Sequence, residues 1–186
     1  MTGSMKRGEI YEGTVERVDY PNKGIVRVPG EEDLVVVKNV IPGQGVRFVI
    51  NKNRSGRKEG RLLEVIRRSP FEAEKALCSA FPECGGCIYQ TMPYDDQLEM
   101  KAGQIKRLLD GASRFPYEFE GIEGSPDRFG YRNKMEYSFG DDRPGGPLTL
   151  GLHRKASTYD VLTCTDCVTV HPDYNVIVDA VLRYFN

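Results

Sequence analysis

The stretch Cys78-Ser79-Ala80-Phe81-Pro82-Glu83-Cys84-Gly85-Gly86-Cys87 places three of the chain's 5 cysteines close together, at the spacing C-x5-C-x2-C. Gly85 and Gly86 fill the shorter gap. Glycine has no Cβ and takes φ > 0 readily, so the backbone can turn tightly there and aim two sulfurs at one centre. Cys164 and Cys167 lie far along the chain, and either can supply a fourth thiolate. Four soft sulfur ligands suit an iron–sulfur cluster or zinc. Scattered cysteines would read as buried thiols or a disulfide, but clustering around Gly-Gly favours a metal site. The two histidines, His153 and His171, read as structural; His171 precedes Pro172 at an expected helix start.

The 186 residues are 39% hydrophobic and 28% charged, which suits one or two small globular domains. No apolar run is long enough to span a membrane, so no membrane partner is expected. Met1-Thr2-Gly3-Ser4-Met5-Lys6 has no apolar core, so it does not read as a secretory signal, and residues 1–5 are expected to be a tail or tag remnant. Metal-like cysteine spacing without such a signal suggests the reducing cytoplasm.

Residues 8 to 66 read as short strands: Ile10–Val18, Gly24–Val28, Leu34–Val37, Val46–Ile50 and Arg61–Ile66. Turn residues separate them, among them Tyr20-Pro21-Asn22-Lys23-Gly24 and Ile41-Pro42-Gly43-Gln44-Gly45. Five such strands match a small closed barrel of the OB type, which has no free sheet edge. The last hairpin is basic. From Arg47 to Arg68 the cations Arg47, Lys52, Arg54, Arg57, Lys58, Arg61, Arg67 and Arg68 face only Glu59 and Glu64, in a chain whose net charge is −1. Segregated charge of this kind suits a phosphate backbone, although a solvated hairpin tip has the same composition.

Beyond the cysteines, Asp95 to Leu109 predicts a helix with Leu98, Ala102, Ile105, Leu108 and Leu109 as an apolar stripe and Gly111 as its C-cap. Gly130 to Gly140 reads as a strand, with Arg132 and Lys134 on one face, able to grip a phosphate or to order the cysteine loop. Leu148–His153 and Ser157–Leu162 follow as partner strands, and Tyr174–Phe185 closes the chain as a helix.

These motifs resemble the RNA uridine-5-methyltransferases that modify 23S ribosomal RNA or the T-loop of tRNA. Residues 6–69, including Val40-Ile41-Pro42-Gly43-Gln44 and Gly60-Arg61-Leu62-Leu63-Glu64, resemble that family's TRAM domain. Cys84-Gly85-Gly86-Cys87-Ile88-Tyr89-Gln90, with Tyr94, Gln97, Leu98 and Lys101, resembles its cluster-binding segment. Gly130-Tyr131-Arg132-Asn133-Lys134 and Asp166-Cys167-Val168-Thr169-Val170-His171-Pro172 resemble its central domain. The resemblance implies a mainly β fold with α: an OB-like barrel over 6–69, an iron–sulfur cysteine loop and helix over 70–111, and the start of an α+β central domain over 112–186. It implies a [4Fe–4S] cluster on Cys78, Cys84, Cys87 and Cys167, with Cys164 as a competing fifth thiol. It also implies RNA as partner, ribosomal before transfer RNA, touched by Arg47, Lys52, Arg54, Arg57, Lys58, Arg61, Arg132 and Lys134.

Members of that family bind S-adenosylmethionine in a C-terminal Rossmann-like domain that holds the catalytic cysteine and general base. No G-x-G-x-x-G turn occurs here. The chain therefore resembles the N-terminal portion only, monomeric and cytoplasmic, with no catalytic residue of its own and no activity when alone. The competing expectation is a stand-alone RNA-binding module holding zinc or a cluster.

Overall fold

The computed structural model describes residues 5–54 and 57–186, apart from the side chains of Arg54 and Arg57. The chain forms two compact units, one from the segment ending at Glu74 together with Thr91–Glu123, the other from Lys75–Gln90 together with Gly124–Asn186.

In the first unit, apolar residues alternate along short strands, and closing those strands on themselves buries one face of each. The strands are β1 (Ile10–Asp19), β2 (Lys23–Arg27), β3 (Leu34–Val37), β4 (Gly45–Arg54) and β5 (Arg57–Arg67). They form the closed barrel that the sequence predicts, in the order β1-β2-β3-β5-β4, which it does not specify. β1 pairs antiparallel with β2 and with β4, and a parallel β3–β5 pairing completes the ring. Val15, Val26, Val35, Val37, Val46, Phe48 and Ile50 fill the interior. Gly60 makes room for the largest of them: a Cβ there would lie 2.5 Å from the Phe48 ring. Met5, expected in the tail, is instead fully buried in this core. Its carbonyl accepts a hydrogen bond from Asn53 at 2.8 Å.

Helix α1 (Tyr94–Ala112) belongs to the barrel unit, not to the cysteine loop with which the sequence groups it. The expected apolar stripe is not what it buries. Ile105, Leu108 and Leu109 are exposed, while Gln104 is buried and donates to the Val18 carbonyl at 3.0 Å. Arg107 donates to the same carbonyl and to Asp19, at 3.3 and 3.0 Å. The helix thus meets the end of β1 through side-chain hydrogen bonds to one backbone carbonyl there. It runs past Gly111, and the Ser113 N–H closes its last turn on Leu109.

The second unit holds a three-stranded antiparallel sheet, β6 (Ser138–Gly140), β7 (Thr149–His153) and β8 (Val161–Thr163), in that spatial order. Helix α2 (Pro172–Phe185) follows, with His171 as N-cap accepting from the Asp173 N–H at 3.3 Å and Pro172 in the first turn. The strand expected over Gly130 to Gly140 forms only in its last three residues. Upstream, the N–H groups of Gly130 and Arg132 donate to Val168 and Thr169 at 2.9 Å each. The backbone there pairs with the segment after Cys167, so strand alternation does not place Arg132 and Lys134 on a common face. Among the described residues, no helix is long and apolar enough to cross a membrane.

Candidate metal centre

All five cysteines are free thiols, and all five line one small pocket of the second unit. Arg132, Phe81, Gln90 and Thr169 line it too. Two segments far apart in sequence build it, and each is fixed by backbone hydrogen bonds. In the first, the Phe81 N–H donates to Cys78 and the Cys84 N–H to Ala80, which winds the loop through the x5 gap. Gly85 then donates to the His153 carbonyl at 3.0 Å, tying the Gly-Gly turn to the end of β7. Gln90 Oε1 accepts from the N–H groups of Leu77 and Cys78, at 2.9 and 3.1 Å. In the second segment, Asn175 on α2 both accepts from the Cys167 N–H and donates to its carbonyl, each at 3.0 Å. Asp166 bridges the two segments, accepting from the Ser79 N–H at 2.8 Å and from its hydroxyl at 3.1 Å. Its carboxylate also lies 3.8 Å from the Cys78 sulfur.

The sulfurs are not alike. Burial raises the Cys78 thiol to about 11 and raises Cys87 as well. Cys84 is lowered to about 6, first by a hydrogen bond from Cys164, then by the Gly86 N–H and by the charges of Lys155 and Arg132. The same hydrogen bond raises Cys164, which keeps its proton. The one Cys84–Cys164 hydrogen bond thus favours the charged form of Cys84 and the neutral form of Cys164, while Cys167 lies 3.2 Å from the Thr169 hydroxyl. The structure brings both Cys164 and Cys167 to the pocket, and both are buried, at 1% and 7% exposure. Among the described residues, no group of three or more His, Cys, Asp or Glu side chains is placed to hold a single metal ion.

The donor set fits a sulfur-ligated cluster in its chemistry: soft ligands, enclosed surroundings and two cations to offset thiolate charge. Gln90, Asn175 and Asp166 fix the backbone of the cysteine segments, the kind of support that residues around a metal site generally supply. The sequence motifs include Gln90 and Asp166 without giving either a role, and they include neither Asn175 nor Lys155. Asp166 had one available signal, its place between two cysteines; Lys155 had none.

The residues expected to meet RNA are scattered in role. Lys58 is 4% exposed and its ammonium is held by Asp33 at 2.6 Å, so it is not available to a phosphate. It sits where β5 crosses β3, and the strand pairing turns it away from solvent. Arg47 is neutralised by Glu12 and Glu64, each at 2.7 Å, and Lys52 by Glu59 at 3.1 Å. Arg61 is exposed. Lys134 pairs with Glu136 at 2.9 Å in the other unit, and Arg132 faces the cysteines. The side chains of Arg54 and Arg57 lie outside the described residues.

No family model matches the chain. A protein from Clostridium tetani, named only as an RNA methyltransferase, is 40% identical over 182 residues, which are 98% of this chain and 39% of that protein. One of the same description from Caldanaerobacter subterraneus is 42% identical over 180 residues. The 23S rRNA (uracil(1939)-C(5))-methyltransferase RlmD of Vibrio campbellii is 28% identical over 166 residues, 88% of this chain and 36% of that protein. In fold, the chain is similar to the crystal structure of Pyrococcus abyssi tRNA (uracil-54, C5)-methyltransferase in complex with S-adenosyl-L-homocysteine, with a TM-score of 0.59 at 20% identity over 94% of this chain and 36% of that one. The chain is thus a relative of RNA methyltransferases, matched along nearly all of its own length and over 39% of the length of the first of them.

Proposed function

We propose that this chain is the RNA-recognition and [4Fe–4S]-bearing part of an S-adenosylmethionine-dependent RNA uridine-5-methyltransferase, acting on 23S ribosomal RNA in the cytoplasm. The observation that carries the cluster reading is the convergence of five cysteines from two distant segments on one pocket. Cys78, Cys84 and Cys87 hold the cluster from one segment and Cys167 from the other. Bound there, the cluster supplies a covalent staple between those segments, and such a site contributes folding energy directly. Four protein thiolates leave no iron open to substrate, so the role is structural.

The chain carries no catalytic residue in this reading. The reacting cysteine, the base and the S-adenosylmethionine site belong to the remainder of a longer protein. The Vibrio campbellii relative supports the uracil-C5 reaction and the ribosomal substrate, and the S-adenosyl-L-homocysteine in the Pyrococcus abyssi structure supports the methyl donor.

Iron, sulfide and zinc analysis of chain purified without oxygen tests the cluster, with Cys164→Ser and Cys167→Ser alongside. About four irons per chain, lost only with Cys167→Ser, supports it. Loss only with Cys164→Ser moves the fourth ligand three residues. One zinc and no iron overturns the cluster and favours a zinc-bearing RNA-binding module. Formation of 5-methyluridine by this chain with S-adenosylmethionine would overturn the assignment of catalysis elsewhere.

A further inference from the structure

Two cations in the second unit have no anionic partner among its carboxylates. Arg132 is half-buried and lines the cysteine pocket. Lys155 is half-buried too, and its N–H donates to the Glu83 carbonyl at 2.8 Å, next to Cys84. Its ammonium lies 5.3 Å from the centre of the Phe81 ring, and Phe81 is itself part of the pocket wall. Among the described residues, neither cation has a carboxylate within ion-pair distance. The contrast is local: Arg154, one residue before Lys155, is paired with both Glu83 and Asp160.

A cation withdrawn from water without a partner is costly, and such charges in proteins are paired or meet a metal site. Burial lowers the Lys155 ammonium from its ordinary value, and only Cys84 and Cys87 act against that. Arg132 shares the pocket wall with all five cysteines, and Lys155 is anchored beside Cys84 with its ammonium over another wall residue, Phe81, so the cysteine set is the anion these two cations face.

We infer that Arg132 and Lys155 are the charge-compensating pair of the cysteine centre, setting the reduction potential of the cluster bound there. This rests on the cluster reading above. A cluster in a four-thiolate cage carries net negative charge, and reduction adds one more. Nearby positive charge favours the reduced form and holds the ligands against protonation and loss of iron. Arg132 then serves the centre rather than a phosphate.

The test uses the chain purified without oxygen, as wild type, Lys155→Met, Arg132→Leu, the double variant and Lys155→Arg. The readouts are iron and sulfide per chain, a redox titration followed by absorbance, and the rate of iron loss to a chelator. Each single charge removal is expected to lower the reduction potential and to speed iron loss roughly tenfold, the double variant more, with Lys155→Arg near wild type. Wild type holding four irons while the neutral variants keep its potential and its rate of iron loss overturns the charge role and leaves the cluster standing. If Lys155→Met loses iron altogether, retention by Lys155→Arg supports the role of charge, and equal loss overturns it. Wild type without iron overturns the cluster reading and this inference with it.

Discussion

Single side chains in this protein are matched to partners that a charge count does not see. Lys58 contributes one unit to a basic hairpin by composition, yet in the fold it is an internal cation fixed by Asp33. Tyr11 and Glu9 show the same matching in a titratable pair. The Tyr11 hydroxyl donates to the Glu9 carboxylate at 2.6 Å. That bond raises Tyr11 to about 12 and, with the Lys6 N–H, lowers Glu9. Tyr11 has a raised value, so its contribution is complete below the ordinary tyrosine range near 10 and is lost as pH rises through about 12. Glu9 has a lowered value, so its contribution is present above the ordinary carboxylate range and is lost as pH falls through the lowered value. In Tyr11→Phe the Glu9 midpoint should rise toward the ordinary value, as read from carboxylate carbon shifts in an NMR titration. An unmoved midpoint would show that the Lys6 N–H alone lowers it.

Elements were legible in the sequence where burial follows side-chain period, and illegible where the backbone decides. β1, β3 and residues 46–50 of β4 alternate buried and more exposed positions, and their places follow from that. The stripe on α1 has the right period for a buried face, but that helix meets the barrel through Gln104 and Arg107 at the Val18 carbonyl. The segment from Gly130 to Tyr137 has strand-like composition, yet its backbone pairs with Val168 and Thr169, so only β6 remains. Cysteine spacing singled out residues that the fold brings to one pocket, because spacing is a backbone property; Lys155 carried no such signal, since it comes beside the loop only where the chain returns after β7. Close backbone approach yields a stability prediction in the second unit. A Cβ on Gly151 would lie 1.9 Å from the Leu162 carbonyl. Gly151→Ala should force β7 from β8 and cost about 1–3 kcal/mol, measured by denaturant unfolding. On the barrel, Arg61 is exposed while Lys58 is internal. Arg61→Ala should weaken binding of a single-stranded RNA oligonucleotide and reduce the salt slope by about 1, read by anisotropy across a salt series. Lys58→Ala should leave Asp33 without its cation and lower the unfolding midpoint instead. A slope changed by Lys58→Ala and not by Arg61→Ala would contradict this division.

The whole molecule divides its stability unequally. The barrel unit has eleven buried hydrophobic residues in one cluster, from Met5 to Ile50. The second unit has no comparable core: its buried apolar side chains are few, and Cys84, Cys164 and Cys167 are among them. A unit with so small an interior needs a cross-link, and a metal centre is one that serves. In the reading proposed above, the cluster joins the cysteine loop to the segment before α2, the two pieces whose contact defines the unit. Removing it leaves five cysteine side chains with no bridge between the two segments, and two cations without their counter-charge. Chelation of the iron should therefore release the second unit and spare the first. Hydrogen exchange read by mass spectrometry, with and without chelator, tests this. Peptides covering 75–90 and 161–170 should lose protection, while those in β1, β2 and β4 keep theirs. Equal loss across both units would mean that the barrel depends on the centre for its own stability. Unchanged protection at 75–90 would mean that Asp166, Gln90 and Asn175 hold the cysteine segments together without the metal.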